Sequence, residues 1–216
     1  MIVGIELFRS IPKSFYLSLK YYPFKQALKL PILVRYNTRL VSLKGKIIGR
    51  GKLRMGFNRV GLYDRKTSPA ILELKGILKI EGTVSLGQGA KIIVGDSGLL
   101  EIGDNFQNSA EGAIVCMKHI KIGNNVLTSW ETLIMDTDFH PVVNLETGII
   151  SDKDRNVWID NDVWIGTRSI VLKGSKIGKG CVVAANSLVS KSFNDENLLI
   201  AGNPGIVKRK NLTWRH

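Results

Sequence analysis

Cysteine and histidine are scarce in this chain, with two of the first and three of the second among 216 residues. Cys116 and Cys181 belong to no CxxC pair, so a disulfide framework and a thiolate metal site both lack a basis, and the two are read as reduced thiols of a cytoplasmic protein. His119, His140 and His216 are widely scattered, and no metal is expected. No stretch approaches about 18 uninterrupted apolar residues. MIVGIELFRS has no basic start followed by a long apolar run, so neither a membrane span nor a signal peptide is expected. Acidic residues are nearly missing from the first third: residues 1–66 carry only Glu6 and Asp64 against eight lysines and seven arginines, while residues 67–216 hold 16 residues of each sign. The whole formal charge of +13 therefore sits at one end of the chain. Such asymmetry points to a polyanion or an acidic membrane surface as partner. Nucleic acid is not expected, because zinc-ligand spacing, RRM-type aromatics and a basic heptad are all missing.

What the chain has in abundance is a short repeat. Stepping by six from Ile159 lands on Ile165, Val171, Ile177, Val183 and Val189, an unbroken aliphatic series. Two places before each stand Val157, Val163, Ser169, Ser175, Cys181 and Ser187, all small or β-branched. A strand alternates with period two and a helix with period 3.6, so neither generates a step of six. Short fixed repeats of this kind specify a parallel β-helix, with each hexad one flat face and each aliphatic stacked on its copy in the next coil. The fold class is thus an all-β solenoid.

Taken in order, the chain starts outside the repeat. In SIPKSFYLSLKYYPFKQALKLPILV, Phe15, Leu19 and Tyr22 share one helical face and Phe24 and Leu28 another after Pro23, with Lys13, Lys20, Lys25 and Lys29 between them. This basic amphipathic segment, residues 1–40, either lies on an anionic leaflet or caps the open end of the solenoid. The solenoid is expected over residues 41–192, ragged at first: Ile80, Leu86 and Ile92 keep the step, then GDSG intrudes before LEIGDN. Residues 193–216 form a tail. Between Ile134 and Val157 the repeat fails, and stepping by six finds His140 and Glu146 in place of aliphatics. An interruption in a solenoid is a loop thrown from one face, here about residues 141–156, and long loops are where function concentrates. His140 stands at its start, and histidine is the side chain whose neutral imidazole can take a proton near pH 7.

DTDFHP at 136–141, VWIGTRSIVLKGSKIGKGCVVAANSLVSK at 163–191 and IAGNPGIVKRK at 200–210 resemble, in that order, the hexapeptide-repeat O-acetyltransferases, the family of galactoside, maltose, capsule and O-antigen acetyltransferases. The resemblance spans about residues 75–210. It implies a left-handed β-helix, a hand that the period alone does not give, and a homotrimer with acetyl-CoA lying in the groove between neighbouring subunits. It also implies that His140 is the general base that deprotonates a sugar hydroxyl as it attacks the thioester. Asp136 and Asp138 precede His140 at two-residue steps, which on an extended strand puts all three on one side. Either carboxylate, or a backbone carbonyl, can orient the imidazole.

For the donor, the resemblance assigns the pantetheine arm to Trp164, Gly166, Thr167, Ala184 and Ala185. It assigns the nucleotide end to Ser190 and Lys191 and the phosphates to Lys208 and Arg209, where charge-assisted contacts suit those groups. Trp158 and Trp164 flank the groove or pack between subunits. For the acceptor, the positions that hold an asparagine and an aspartate in the galactoside and maltose enzymes are Ser109 and Met117 here, which argues against a simple galactoside. A surface polysaccharide, its repeat unit or a lipid-linked precursor, anionic or membrane-borne, fits the basic first third better, with the protein at the inner face of the membrane. Two other readings remain open. One is N-acetylation of an amino sugar or nucleotide sugar, which needs the same base. The other is a non-catalytic solenoid that binds glycan or membrane, which has no use for DTDFHP before an interrupted coil.

Overall fold

The computed structural model describes residues 2–58, 60–63 and 68–215; His216 lies outside them. A long helix, α1 (Ile2–Tyr21), and one short turn of helix, α2 (Phe24–Ala27), precede the strands β1 (Ile32–Val34), β2 (Arg39–Leu43) and β3 (Lys46–Ile48). From β1 onward the chain visits three faces in strict rotation, and among the described residues each face is a sheet, of nine, seven and seven strands. Among the described residues the strands of these sheets pair in parallel except at the end, where Ile206–Lys210 runs antiparallel to Leu198–Ala201. The coils are therefore stacked turns of a parallel β-helix.

The aliphatic repeat becomes three interior stacks. On the third face Ile80, Ile102, Ile122, Ile159, Ile177 and Phe193 lie in register. On the second face the stack is Leu72, Ile92, Ile114, Ile134, Val171 and Val189. Burying each such side chain contributes about 1.5–3 kcal/mol. The first face carries a polar step, Leu86 to Asn108 to Thr128 to Ile165, tolerated because the Asn108 amide donates to Thr128 Oγ1 at 2.8 Å. The small residues two places before each aliphatic sit at the corners and bond to the next coil: Ser169 Oγ donates to the Ala184 carbonyl at 2.8 Å and Ser175 Oγ to that of Val189 at 3.0 Å. Burial pushes the Cys181 thiol up, so it serves as one of these small packing groups.

The repeat extends beyond the expected boundaries. The first coil begins at Ile32 and not at residue 41, because Ile32, Leu33 and Val34 pair with Leu53, Arg54 and Met55. It continues past residue 192, since Leu199 and Ile200 stack on Val182 and Val183. Proline, glycine and lysine around these strands hide the alternation from a search for hexads.

Helix α1 runs across the exposed edge of the first coil, and the face it uses is not the aromatic one. Ser10, Ser14 and Ser18, one helical turn apart, are buried with Leu17 and Tyr22, whereas Leu19 stays exposed. Ser14 Oγ accepts from the Val34 amide at 3.0 Å and donates to its carbonyl at 3.2 Å; Ser18 does the same for Ile32, and Ser10 accepts from the Tyr36 amide. An edge strand leaves alternate backbone groups without partners, and three hydroxyls supply them here. Lys13 adds ammonium bonds to the carbonyls of Tyr36 and Thr38. Ser14→Ala strands two buried backbone groups of Val34 and is expected to cost about 1–3 kcal/mol. That loss is read as a lowered urea midpoint, while Phe8→Ser on the exposed side of the same helix leaves the midpoint in place.

Candidate active site

The chain leaves the second face after Met135 and returns to the third at Val157, so the interruption is inserted at one corner of the triangle. Ile122 and Ile159 pair across it as though nothing intervened. The loop's ends are zipped: the Arg155 amide donates to the Asp136 carbonyl and the Asp138 amide to that of Lys153, both at 2.9 Å. Beyond them the segment is exposed throughout, and Val142, Leu145, Ile149 and Ile150 present an apolar tip.

The strand ends at Met135, so Asp136, Asp138 and His140 do not share a side as expected. Asp136 is fully buried, and both its oxygens are occupied by the amides of Met117 at 2.7 Å and Lys118 at 2.8 Å in the preceding coil. It anchors the corner and does not orient His140. Burial, together with this carboxylate, drives the neighbouring Cys116 thiol well above its ordinary value, so that thiol is no nucleophile. Asp138 directs Oδ2 to the ammonium of Lys173 at 2.5 Å. What Asp138 offers His140 is its carbonyl, which accepts the His140 amide at 2.7 Å across a three-residue turn. The central residue of that turn, Phe139, has φ of 60°, a left-handed conformation that costs a bulky residue energy and tends to persist where the surroundings enforce it. The His140 side chain is exposed, and among the described residues nothing hydrogen-bonds its imidazole.

Lys173 was not legible as a site residue. It occupies the corner one coil above Asp136, its ammonium is largely buried, and it also donates to the Asp152 carbonyl at 2.5 Å, so it holds both limbs of the loop. The available signal was register: Val171 pairs with Val189, which sets Lys173 and Lys191 in equivalent corners of successive coils.

The remaining residues divide into two groups. Met117, Lys173, Ser190 and Lys191 occupy the same corner as the His140 loop. Ser109, Trp164, Gly166, Thr167, Ala184 and Ala185 lie on the first face or at its corner with the second, and the structure does not bring them to His140 within one chain. Across the first face Trp164 pairs with Val182, Val182 with Leu199 and Leu199 with Arg209, a row that ends beside Lys208. Gly166 is needed there, since a Cβ would come within 2.7 Å of the Ala185 amide and 2.8 Å of the Val183 carbonyl. The Trp164 indole donates to Ser129 Oγ at 3.0 Å and lies 6.3 Å from the ring of Trp214, a tail residue the sequence did not single out. Beside Thr167, the Arg168 guanidinium and the Tyr63 hydroxyl hold the Glu131 carboxyl below its ordinary value. On the third face Trp158 packs edge-on to His119 at 4.7 Å, and His119 bonds Glu101 at 2.7 Å. His119 thus has a partner and a structural place.

Residues 156–191 match the model of the bacterial transferase hexapeptide, six repeats. That stretch carries the hexapeptide repeat of bacterial transferases. Across 91 residues the chain is 38% identical to the galactoside O-acetyltransferase of Lactococcus lactis, an overlap of 42% of this chain and 43% of that protein. It thus spans under half the length of that relative. A 24.8 kDa protein of the cps region of Klebsiella pneumoniae is 27% identical over 194 residues, 89% of this chain and 85% of that one, so the likeness reaches into the basic first third. The crystal structure of the polysialic acid O-acetyltransferase OatWY superposes over 86% of this chain and 87% of its own with a TM-score of 0.54 at 21% identity. That likeness is one of fold, a left-handed parallel β-helix.

Lys173→Met is expected to release both limbs of the loop. Limited proteolysis within residues 141–153 should quicken several-fold while the unfolding midpoint moves little, because the interior stacks are untouched. Unchanged cleavage would show that the zipped ends alone hold the loop.

Proposed function

We propose that this protein transfers an acetyl group from acetyl-CoA to a hydroxyl of a sugar in a surface polysaccharide or its precursor. The observation that carries the reading is the presentation of His140: an imidazole without a hydrogen-bond partner among the described residues, exposed on a strained turn, on a loop fixed by a largely buried lysine and a buried aspartate. A sugar hydroxyl is too weak an acid to attack a thioester near neutral pH without help. The His140 imidazole accepts its proton as the oxygen bonds to the acyl carbon, and returns that proton to the departing thiolate. The Asp138 carbonyl and the Lys173 clamp hold the turn that aims the ring.

Donor binding falls to the first face. The row from Trp164 to Arg209 offers an extended track past the small residues Gly166, Ala184 and Ala185, ending at Lys208 and Arg209, whose cations suit phosphates. His140 and this track lie at different parts of one chain, so the site is completed by setting the loop corner of one protomer against the first face of the next. A closed homotrimer does this three times and covers the apolar loop tip. The acceptor class is supported by the cps-region relative, whose match covers most of both chains.

Release of CoA thiol from acetyl-CoA, with surface saccharides and amino sugars offered as acceptors, tests this directly. Wild type should respond to a saccharide hydroxyl, and His140→Ala should lose about 10²–10⁴-fold of that rate. Equal rates would remove His140 from the mechanism, and a response to amino sugars alone would make the chemistry N-acetylation. Shared sites carry their own signature. Oligomers reassembled from His140→Ala and Lys208→Glu/Arg209→Glu chains should recover part of the activity that each lacks alone, whereas sites contained in one chain recover none.

A further inference from the structure

We propose that the N-terminal end of the solenoid is a docking surface for an anionic lipid bilayer. The serine stripe of α1 commits one side of the helix to β1. On the other side Ile5, Phe8, Ile11, Tyr16 and Leu19 recur every three to five residues and are exposed, Phe8 by 75%. In α2 and just beyond it, Phe24 and Leu28 are exposed too. This side is far more apolar than holding the helix on the solenoid requires, since the serines already do that.

The charge around it indicates what covers it. No carboxylate occurs in the sequence between Glu6 and Asp64, and Glu6 is itself paired with Arg35 at 3.0 Å. Two concavities flank the helix cap. One, of about 710 Å³, is lined by Lys25, Lys29, Arg50 and Lys52. The other, of about 450 Å³, is lined by Lys20, Lys44 and Lys46. An apolar stripe bordered by basic hollows matches the acyl boundary and the phosphate layer of an anionic leaflet. A soluble polyanion uses the lysines and leaves the aromatics in water, and so fits less well. A second copy of this chain carries the same positive charge on this end and would be repelled. Parallel solenoids packed side by side cover their flanks and leave such an end open. Among the described residues no helix is long and apolar enough to cross a membrane, so the contact is peripheral.

The proposal stands apart from the acyl-transfer reading. The test is cosedimentation of the full chain with phosphatidylcholine vesicles, with and without phosphatidylglycerol, alongside sedimentation equilibrium for oligomeric state. Binding is expected only with the anionic lipid and should weaken as salt rises. Phe8→Ser/Leu19→Ser should reduce partitioning about tenfold or more, and Lys25→Gln/Lys29→Gln/Arg50→Gln should reduce it by a comparable factor. Both variants should keep the wild-type oligomer and the same rate on a soluble acceptor. Three results would overturn it: no preference for anionic vesicles, binding that survives loss of Phe8 and Leu19, as charge alone or a soluble polyanion would give, or dissociation of the oligomer by the Phe8/Leu19 change.

Discussion

Hydrogen bonding from coil to coil is the constraint on which everything else in this molecule depends. Each coil is satisfied by the one before and the one after, so a solenoid is stable in its middle and exposed at its ends. The two ends are closed differently. At the start, three serine hydroxyls spaced by one helical turn take the place of a preceding strand. At the finish, Ile206–Lys210 folds back antiparallel on the last strand of the first face and turns three consecutive cations outward. Basic residues on an outermost strand discourage further strands from adding, which keeps the solenoid finite.

The same constraint dictates where chemistry can be added. An insertion within a face would break the stack of that face, whereas one at a corner leaves every stack in register, as the pairing of Ile122 with Ile159 demonstrates. The cost of the insertion is local, and it is met by groups from the adjoining coils: the Met117 and Lys118 amides from one side through Asp136, and Lys173 from the other. A loop held from two coils can carry a left-handed Phe139 that an unsupported one would relax. The position of His140 is therefore a property of three successive coils.

This explains what the sequence made legible and what it did not. The step of six is written directly in residues 157–191, because each hexad there meets the same requirement for an aliphatic group inside and a small one at the corner. The failure of that step exposed the loop and His140. The common side expected for Asp136, Asp138 and His140 is not found, because two-residue spacing fixes a common side only while the chain stays extended, and it ceases to be so after Met135. Lys173 was hidden for a related reason: its partners, Asp138 and Asp152, lie more than twenty residues away, and only coil register puts them together. In α1 the aromatic periodicity was visible, but the packing face belongs to serines, whose value lies in edge backbone groups that no hydrophobicity pattern records.

The serine stripe also bears on how the molecule is oriented. A helix that capped the solenoid with leucines would spend its apolar side on the first coil and show water a polar one. Because hydroxyls do the capping, the apolar side is left over, and it faces away along the solenoid axis, at the end where the cations are gathered. The loop corner and the Trp164 row lie along the flanks, at right angles to that direction. Side-by-side assembly about a parallel axis can complete the flanks without touching the end, so the two surfaces impose no conflict. One fold thus separates the lateral surface proposed for acyl transfer from the axial surface proposed for an anionic boundary.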